Sequence, residues 1–177
     1  YWRELNAIDG SYAMVPVYYT LEYAWGRIIG TSADTVRGLS LAAGLLSIPL
    51  LFGIARRIYG NTAGVVAAFC LAVSLPHIFY SQEVRRYALE CLLVLLSFYT
   101  LLRSTERERF CWWPAHLFVN VLLLWTTVYS APLLAVQAFY LLFVARAGTR
   151  RAAIWTAVNG LAFVGLLAWT WSLQGVT

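Results

Sequence analysis

The segment Tyr80-Ser-Gln-Glu-Val-Arg-Arg-Tyr87 gathers the side chains of this chain best suited to chemistry. Arg85 and Arg86 present planar forks of N–H donors that match the oxygens of a phosphate. Glu83 can orient a guanidinium, and Tyr80 and Tyr87 offer hydroxyls and ring faces to whatever the arginines hold. On a continuous helix Glu83, Tyr87 and Glu90 would share one face, at i, i+4 and i+7. The plainer alternative is a local pair of ion pairs, Glu83 with Arg86 and Arg86 with Glu90. Helical neighbours at those spacings gain a few tenths of a kcal/mol.

The elements that must position this island are membrane helices. The chain has 177 residues, 61% hydrophobic and 12% charged, with mean hydropathy +0.69. A soluble domain carries roughly 25% charged residues. The apolar residues sit in blocks of about 17 to 25, the length a helix needs to cross a hydrocarbon core of about 30 Å. The alternation of an outer-membrane barrel is missing. We therefore expect an all-α, polytopic transmembrane bundle with about six spans, at 35–56, 62–80, 86–102, 111–128, 132–146 and 152–172. Pro16 opens a further short stretch, 15–29, that reads as an interfacial or tilted helix. Pro49 is expected to kink the first span. The chain reads as one transmembrane module, residues 1–177, with 1–34 an external loop and juxtamembrane helix and 35–177 the spans. Tyr1 is not a Met, and the expectation is an N-terminally truncated piece of a larger protein.

Charge sets the orientation. All thirteen basic residues are Arg, which points to a GC-rich bacterial genome. Arg56-Arg57, the run Arg103 to Arg109, and Arg146, Arg150 and Arg151 fall on one side when crossings are counted. The positive-inside bias makes that side cytoplasmic. Glu83, Arg85 and Arg86 then stand at the outer face, against the bias, and charge near membrane depth costs on the order of 3 kcal/mol. An arginine there could hold the phosphate of a substrate whose lipid tail remains in the bilayer. The net charge of +5 is accounted for by orientation, and no nucleic-acid partner is expected.

Other residues besides the island could take part in chemistry or packing. His77 stands three residues before it and could line the same cleft. Tyr18, Tyr19 and Glu22 could face it from the 15–29 helix, although Glu22 could equally pair with Arg27. His116 and Asn120 share a helix face, where hydrogen bonding between helices is the expected role. Cys70, Cys91 and Cys111 lack metal-ligand spacing and read as packing residues. No metal or cofactor site is visible, and a divalent ion would need acidic residues beyond those seen here.

Four segments carry a family resemblance. Tyr80-Ser-Gln-Glu-Val-Arg-Arg-Tyr-Ala-Leu89 resembles the "YSQEaRxYaL" signature of integral-membrane glycosyltransferases of the GT-C class. These include dolichyl-phosphate-mannose protein mannosyltransferases and bacterial undecaprenyl-phosphate aminoarabinose transferases. Pro16-Val-Tyr-Tyr19 is similar to that class's "HPPLYY", Val36-Arg-Gly-Leu-Ser40 to its "xRLPS", and Ala55-Arg-Arg-Ile-Tyr-Gly60 to its "gRRlfG" turn. The likeness runs from about residue 14 to 103 and is generic beyond. The acidic pair usual after the first span is not found, Ala13-Met-Val precedes Pro16 where the family has His, and no His-Tyr pair occurs at Val128-Tyr-Ser-Ala-Pro132.

The resemblance implies transfer of a sugar from a polyprenyl-phosphate carrier to a glycan, lipid or protein acceptor, with inversion, on the non-cytoplasmic face of a bacterial inner membrane. It implies Arg85 as donor-phosphate ligand supported by Glu83, Tyr87, Tyr80 and Arg86. It also implies an external carboxylate as base, for which Asp9 is the nearest candidate and Glu4 a weaker one. Two other classes fit the residues less well. A transporter or flippase-like carrier would use the Glu/Arg island to gate an anion, and would show paired discontinuous helices or repeats. A non-catalytic membrane scaffold would use the island as an ion pair only.

Overall fold

The computed structural model describes residues 16–30, 32–105, 111–144 and 149–174, and all regular structure among them is helical. The helices are α1 (Pro16–Ile29), α2 (Ala33–Tyr59), α3 (Asn61–Ala72), α4 (Leu75–Gln82), α5 (Tyr87–Thr105), α6 (Trp112–Thr126), α7 (Ala131–Phe139) and α8 (Thr149–Gln174). A 3₁₀ turn at Val128–Ser130 precedes α7 and a π turn at Tyr140–Val144 follows it. Asp9 and Glu4 lie outside the described residues, as do Arg107, Arg109 and Arg146. The chain divides into two compact units, Tyr18–Tyr99 and a second whose described residues begin mainly at Thr100.

Within Tyr18–Tyr99, α2 is the organising element. Ser32 caps it by accepting from the Thr35 amide (3.3 Å), and Asp34 sits in its first turn, where the helix dipole favours a negative charge. Arg56 and Arg57 occupy its last turn, where cations are favoured. The helix continues through Pro49 and ends at Gly60, whose φ of +93° is a conformation that glycine reaches without steric cost. The chain then turns back as α3. A Cβ on Gly64 would lie 3.0 Å from Phe52 O, so the missing side chain lets the α3 and α2 backbones pack closely.

The expected 62–80 span is in fact two helices, α3 and α4, bent by 57° at their junction. Pro76 stands in the first turn of α4 and has no N–H to continue the α3 ladder. Ser74 N instead closes a tight turn on Leu71 O (3.1 Å), and Ser74 O accepts the first α4 bond from Ile78 N (2.9 Å).

Among the described residues, two helices, Asp34–Tyr59 and Tyr87–Thr105, are long and apolar enough to cross a membrane, or three spans if the bent pair counts as one. The expected six are not all reached. Helix α6 has 15 residues and stops where Thr127 turns extended (φ −158°, ψ 128°). At about 1.5 Å per residue it covers only about 22 Å. Ala131–Phe143 and Ala152–Ala168 are likewise short apolar stretches.

Helix α1 lies against the start of α2. The Trp25 indole donates to Thr35 O (2.7 Å), and its ring would meet a Cβ on Gly38 at 3.4 Å.

Candidate functional site

The island is not one continuous helix. Helix α4 stops at Gln82, and Glu83 is extended (φ −87°, ψ 143°). Residues 83–86 form a turn before α5 begins at Tyr87. Glu83 therefore does not share a helix face with Tyr87 and Glu90, and the expected helical pair Glu83–Arg86 does not form. Glu83 approaches Arg85 instead, Oε2 to Nε at 3.8 Å, with the arginine side chain 66% exposed. Such a pair contributes little on its own. Arg86 lies within electrostatic reach of Glu90, and the two are also joined by Glu90 N to Arg86 O (2.8 Å). Across the turn the Tyr80 and Tyr87 rings meet at 4.7 Å, tilted by 53°, within the contact range of aromatic pairs. The turn is tied to α2 by the Ser40 hydroxyl, which donates to Arg85 O (3.4 Å).

Beside this turn is an open groove of about 440 Å³, lined by Asp34, Arg37, Leu41, Phe79, Ser81, Gln82 and Glu83. Its cation is Arg37, one α2 turn from the helix start, in an exposed pair with Asp34 (3.6 Å). Glu83 faces this groove, whereas Arg85, Arg86, Tyr80 and Tyr87 are not among its lining residues. Arg37 was legible only as part of the Val36–Ser40 motif, and Asp34, Ser81 and Gln82 went unmarked by spacing. They come together because the α3–α4 bend carries the end of α4 to the start of α2.

Leu41, Ser81 and Gln82 also line a second cleft of about 130 Å³, whose other walls are Gly44, Leu45, Ile48, Ala72, His77 and Ile78. A groove that carries charged side chains thus shares a wall with an almost wholly apolar cleft running down α2. His77 lines this cleft and donates Nε2–H to Gly44 O (3.2 Å), so its ring is held as a strap between α4 and α2.

Tyr18, Tyr19 and Glu22 line neither cavity. Tyr18 is 1% exposed and packs edge-on to Tyr19 at 5.3 Å. Its hydroxyl meets no aligned hydrogen-bond partner among the described residues. Burial, and secondarily the Glu22 charge, push the Tyr18 phenol up to about 12, and the nearby Ser40 hydroxyl offsets part of that rise. Burial also raises the Glu22 carboxyl above its ordinary value. Among the described residues no three His, Cys, Asp or Glu side chains gather as a metal would require.

The second unit also holds polar groups, but they are closed on one another. Asn120 donates to Asn159 Oδ1 and to His116 Nε2 (3.2 Å), which leaves His116 Nδ1–H to donate to Thr100 Oγ1 (3.1 Å). Asn159 Nδ2 donates to Trp155 O (2.9 Å). All four side chains are buried. The network joins α5, α6 and α8, the interhelical role expected for His116 and Asn120.

The sequence profile of the dolichyl-phosphate-mannose-protein mannosyltransferase family matches residues 15–171. The match starts at α1 and ends inside α8, well past the residues that carried the resemblance. Comparison with curated proteins and with solved structures finds no match.

Proposed function

The chain belongs to the dolichyl-phosphate-mannose-protein mannosyltransferase family of membrane glycosyltransferases, and from that premise we propose that it transfers a sugar from a polyprenyl-phosphate carrier to a glycan, lipid or protein acceptor. The observation that supports this most is the shared wall between the groove that holds Arg37 and the apolar cleft. A carrier of this kind has an anionic head and an isoprenoid tail, and a groove with an arginine beside an apolar cleft matches those two parts. A transporter or scaffold would explain the bend between α3 and α4, but not the family match.

In this reading Arg37 takes the donor phosphate, with Arg85 reaching in once it leaves Glu83. Glu83, Gln82 and Ser81 offer partners to the sugar, and Tyr80 and Tyr87 form an aromatic wall at the rim. The acceptor hydroxyl attacks the anomeric carbon as the bond from that carbon to the phosphate oxygen breaks. The phosphate leaves with the electron pair, and a carboxylate takes the hydroxyl proton. Attack opposite the leaving group inverts the anomeric centre. Asp9 is the external carboxylate we assign to that proton transfer, and the groove faces the exterior of a bacterial inner membrane.

The test is transfer by the full-length protein in lipid nanodiscs, supplied with polyprenyl-phosphate-linked sugars. Release of polyprenyl phosphate coupled to glycosylated acceptor, and clearly slowed by Arg37→Ala in a folded protein, is expected. Turnover unaffected by Arg37→Ala would remove the phosphate assignment, and no transfer from any lipid-linked sugar would remove the function.

A further inference from the structure

We infer that Gly44 and Ser81 form a neck that fixes how the carrier's tail enters the protein, and that the protein reads only the first short segment of that tail. This rests on the polyprenyl-phosphate reading. Ser81 lines both cavities, and it is held in place because its hydroxyl donates to His77 O (2.6 Å). It is 7% exposed. Opposite it is Gly44, on α2, where a Cβ would overlap Ser81 Oγ, lie 2.8 Å from Ser81 Cβ and come within 3.8 Å of His77 Nε2. Real side-chain carbons do not approach that closely, so α4 touches α2 here only because position 44 has no side chain. A methyl at this point must either push the end of α4 outward or displace the Ser81 side chain from its bond to His77 O. Either change moves the Ser81 side of the tail cleft, while Arg37 on α2 keeps its place for the phosphate.

The dimensions of the cleft limit what it can select. A cleft of about 130 Å³ is far too small for a whole polyprenyl tail. It accommodates one short branched apolar segment next to the phosphate. Beyond Leu45, Ile48 and Ile78 the rest of the tail must stay among lipids, and exposed Leu45 and Ile78 already face that environment. Selection by the protein would therefore act on the isoprenoid unit joined to the phosphate and be insensitive to total tail length.

The experiment measures binding of polyprenyl phosphate, of geranyl phosphate and of methyl phosphate, which carries the head without the tail, to the full-length protein in nanodiscs. The wild type is expected to bind the two prenyl phosphates with matching affinity at equal membrane concentration. Gly44→Ala is expected to weaken both by about tenfold, the scale set by overpacking one methyl, with methyl phosphate unchanged. The double variant Gly44→Ala/Ser81→Gly, which removes the obstructing atoms, is expected to restore prenyl binding. Restoration also shows that a poorly folding single variant failed at this contact. The neck is overturned if Gly44→Ala binds like the wild type, if methyl phosphate weakens in parallel, or if the double variant fails to recover. A wild type that prefers long tails overturns the short-segment reading. A wild type that binds methyl phosphate and no prenyl phosphate overturns the carrier assignment itself, an outcome separate from the others.

Discussion

The two units bury or expose their polar groups in opposite ways. In the unit from Thr100 onward, His116, Asn120, Asn159 and Thr100 satisfy one another inside the helix packing. In Tyr18–Tyr99, Arg37, Asp34, Glu83 and Gln82 line a groove open to solvent, and their ion pairs are long and exposed. A closed network resists change because every lost partner leaves a buried group unpaired. An open groove with weak internal pairs can exchange them for a ligand at little cost. The first arrangement holds helices together, and the second is suited to binding.

Arg37 should break the comparison most visibly. Hydrogen bonds from a charged group contribute about 1.5–3 kcal/mol, so Arg37→Ala should lower kcat/KM for the lipid-linked donor by roughly ten- to a hundredfold. Arg85→Ala, at a residue that does not line the groove, should lower it by less, and neither should change the unfolding temperature in detergent. Equal losses for both would move the phosphate back toward the turn. Asp34→Asn sharpens the same point. Freeing Arg37 from its carboxylate should strengthen phosphate binding a few-fold, more at low ionic strength where exposed charges are less screened. Loss of transfer with donor affinity intact would instead make Asp34 the base.

On the closed side, Asn120→Ala removes the side chain that bonds both His116 and Asn159. Interhelical hydrogen bonds in membranes contribute about 0.6 kcal/mol on average and up to about 1.7, and here the bond to Asn159 across helices is lost together with the bond to His116 within α6. A destabilisation of about 1–2 kcal/mol is therefore expected in reversible unfolding, with donor affinity per folded molecule unchanged. Reduced donor affinity at full stability would remove the division of roles between the two units.

Helices and membrane character were legible in the sequence because apolar block length and arginine placement are one-dimensional signals. The starts of α1, α2 and α5 fall close to the expected ends. The 62–80 block was harder to read. Its composition is continuous and only Pro76 marks the break, because the bend follows from one missing N–H. That bend in turn hid the groove. The turn between the 62–80 and 86–102 blocks was legible, but a shared helix face for Glu83, Tyr87 and Glu90 ignored it; the turn at 83–86 puts Glu83 on the groove that Arg37 also lines. Gly44 is the same kind of case, since a glycine in an apolar run shows nothing of the Ser81 it must admit.

The smallest expected effect concerns α1, where Tyr18 and Glu22 are tied to neither cavity. The Tyr18 hydroxyl is buried without an aligned partner, so Tyr18→Phe should be neutral or slightly stabilising, because no hydrogen bond is lost and a desolvated hydroxyl is removed. Glu22 has a pH signature. Its carboxyl is raised by burial, so the folded state holds its proton more tightly than the unfolded state. The stability this contributes is complete below the unfolded value near about 4.3 and is lost as pH rises through the raised folded value. Tyr18 follows the same sign at the alkaline end, its contribution fading between the ordinary value of 10.0 and about 12. Glu22→Gln should leave stability near pH 4 unchanged and raise it at neutral pH. It should also lower the midpoint of the Tyr18 phenolate absorbance titration by removing a neighbouring negative charge. A Glu22→Gln variant that loses donor turnover while keeping wild-type stability at every pH would instead place α1 inside the reaction site.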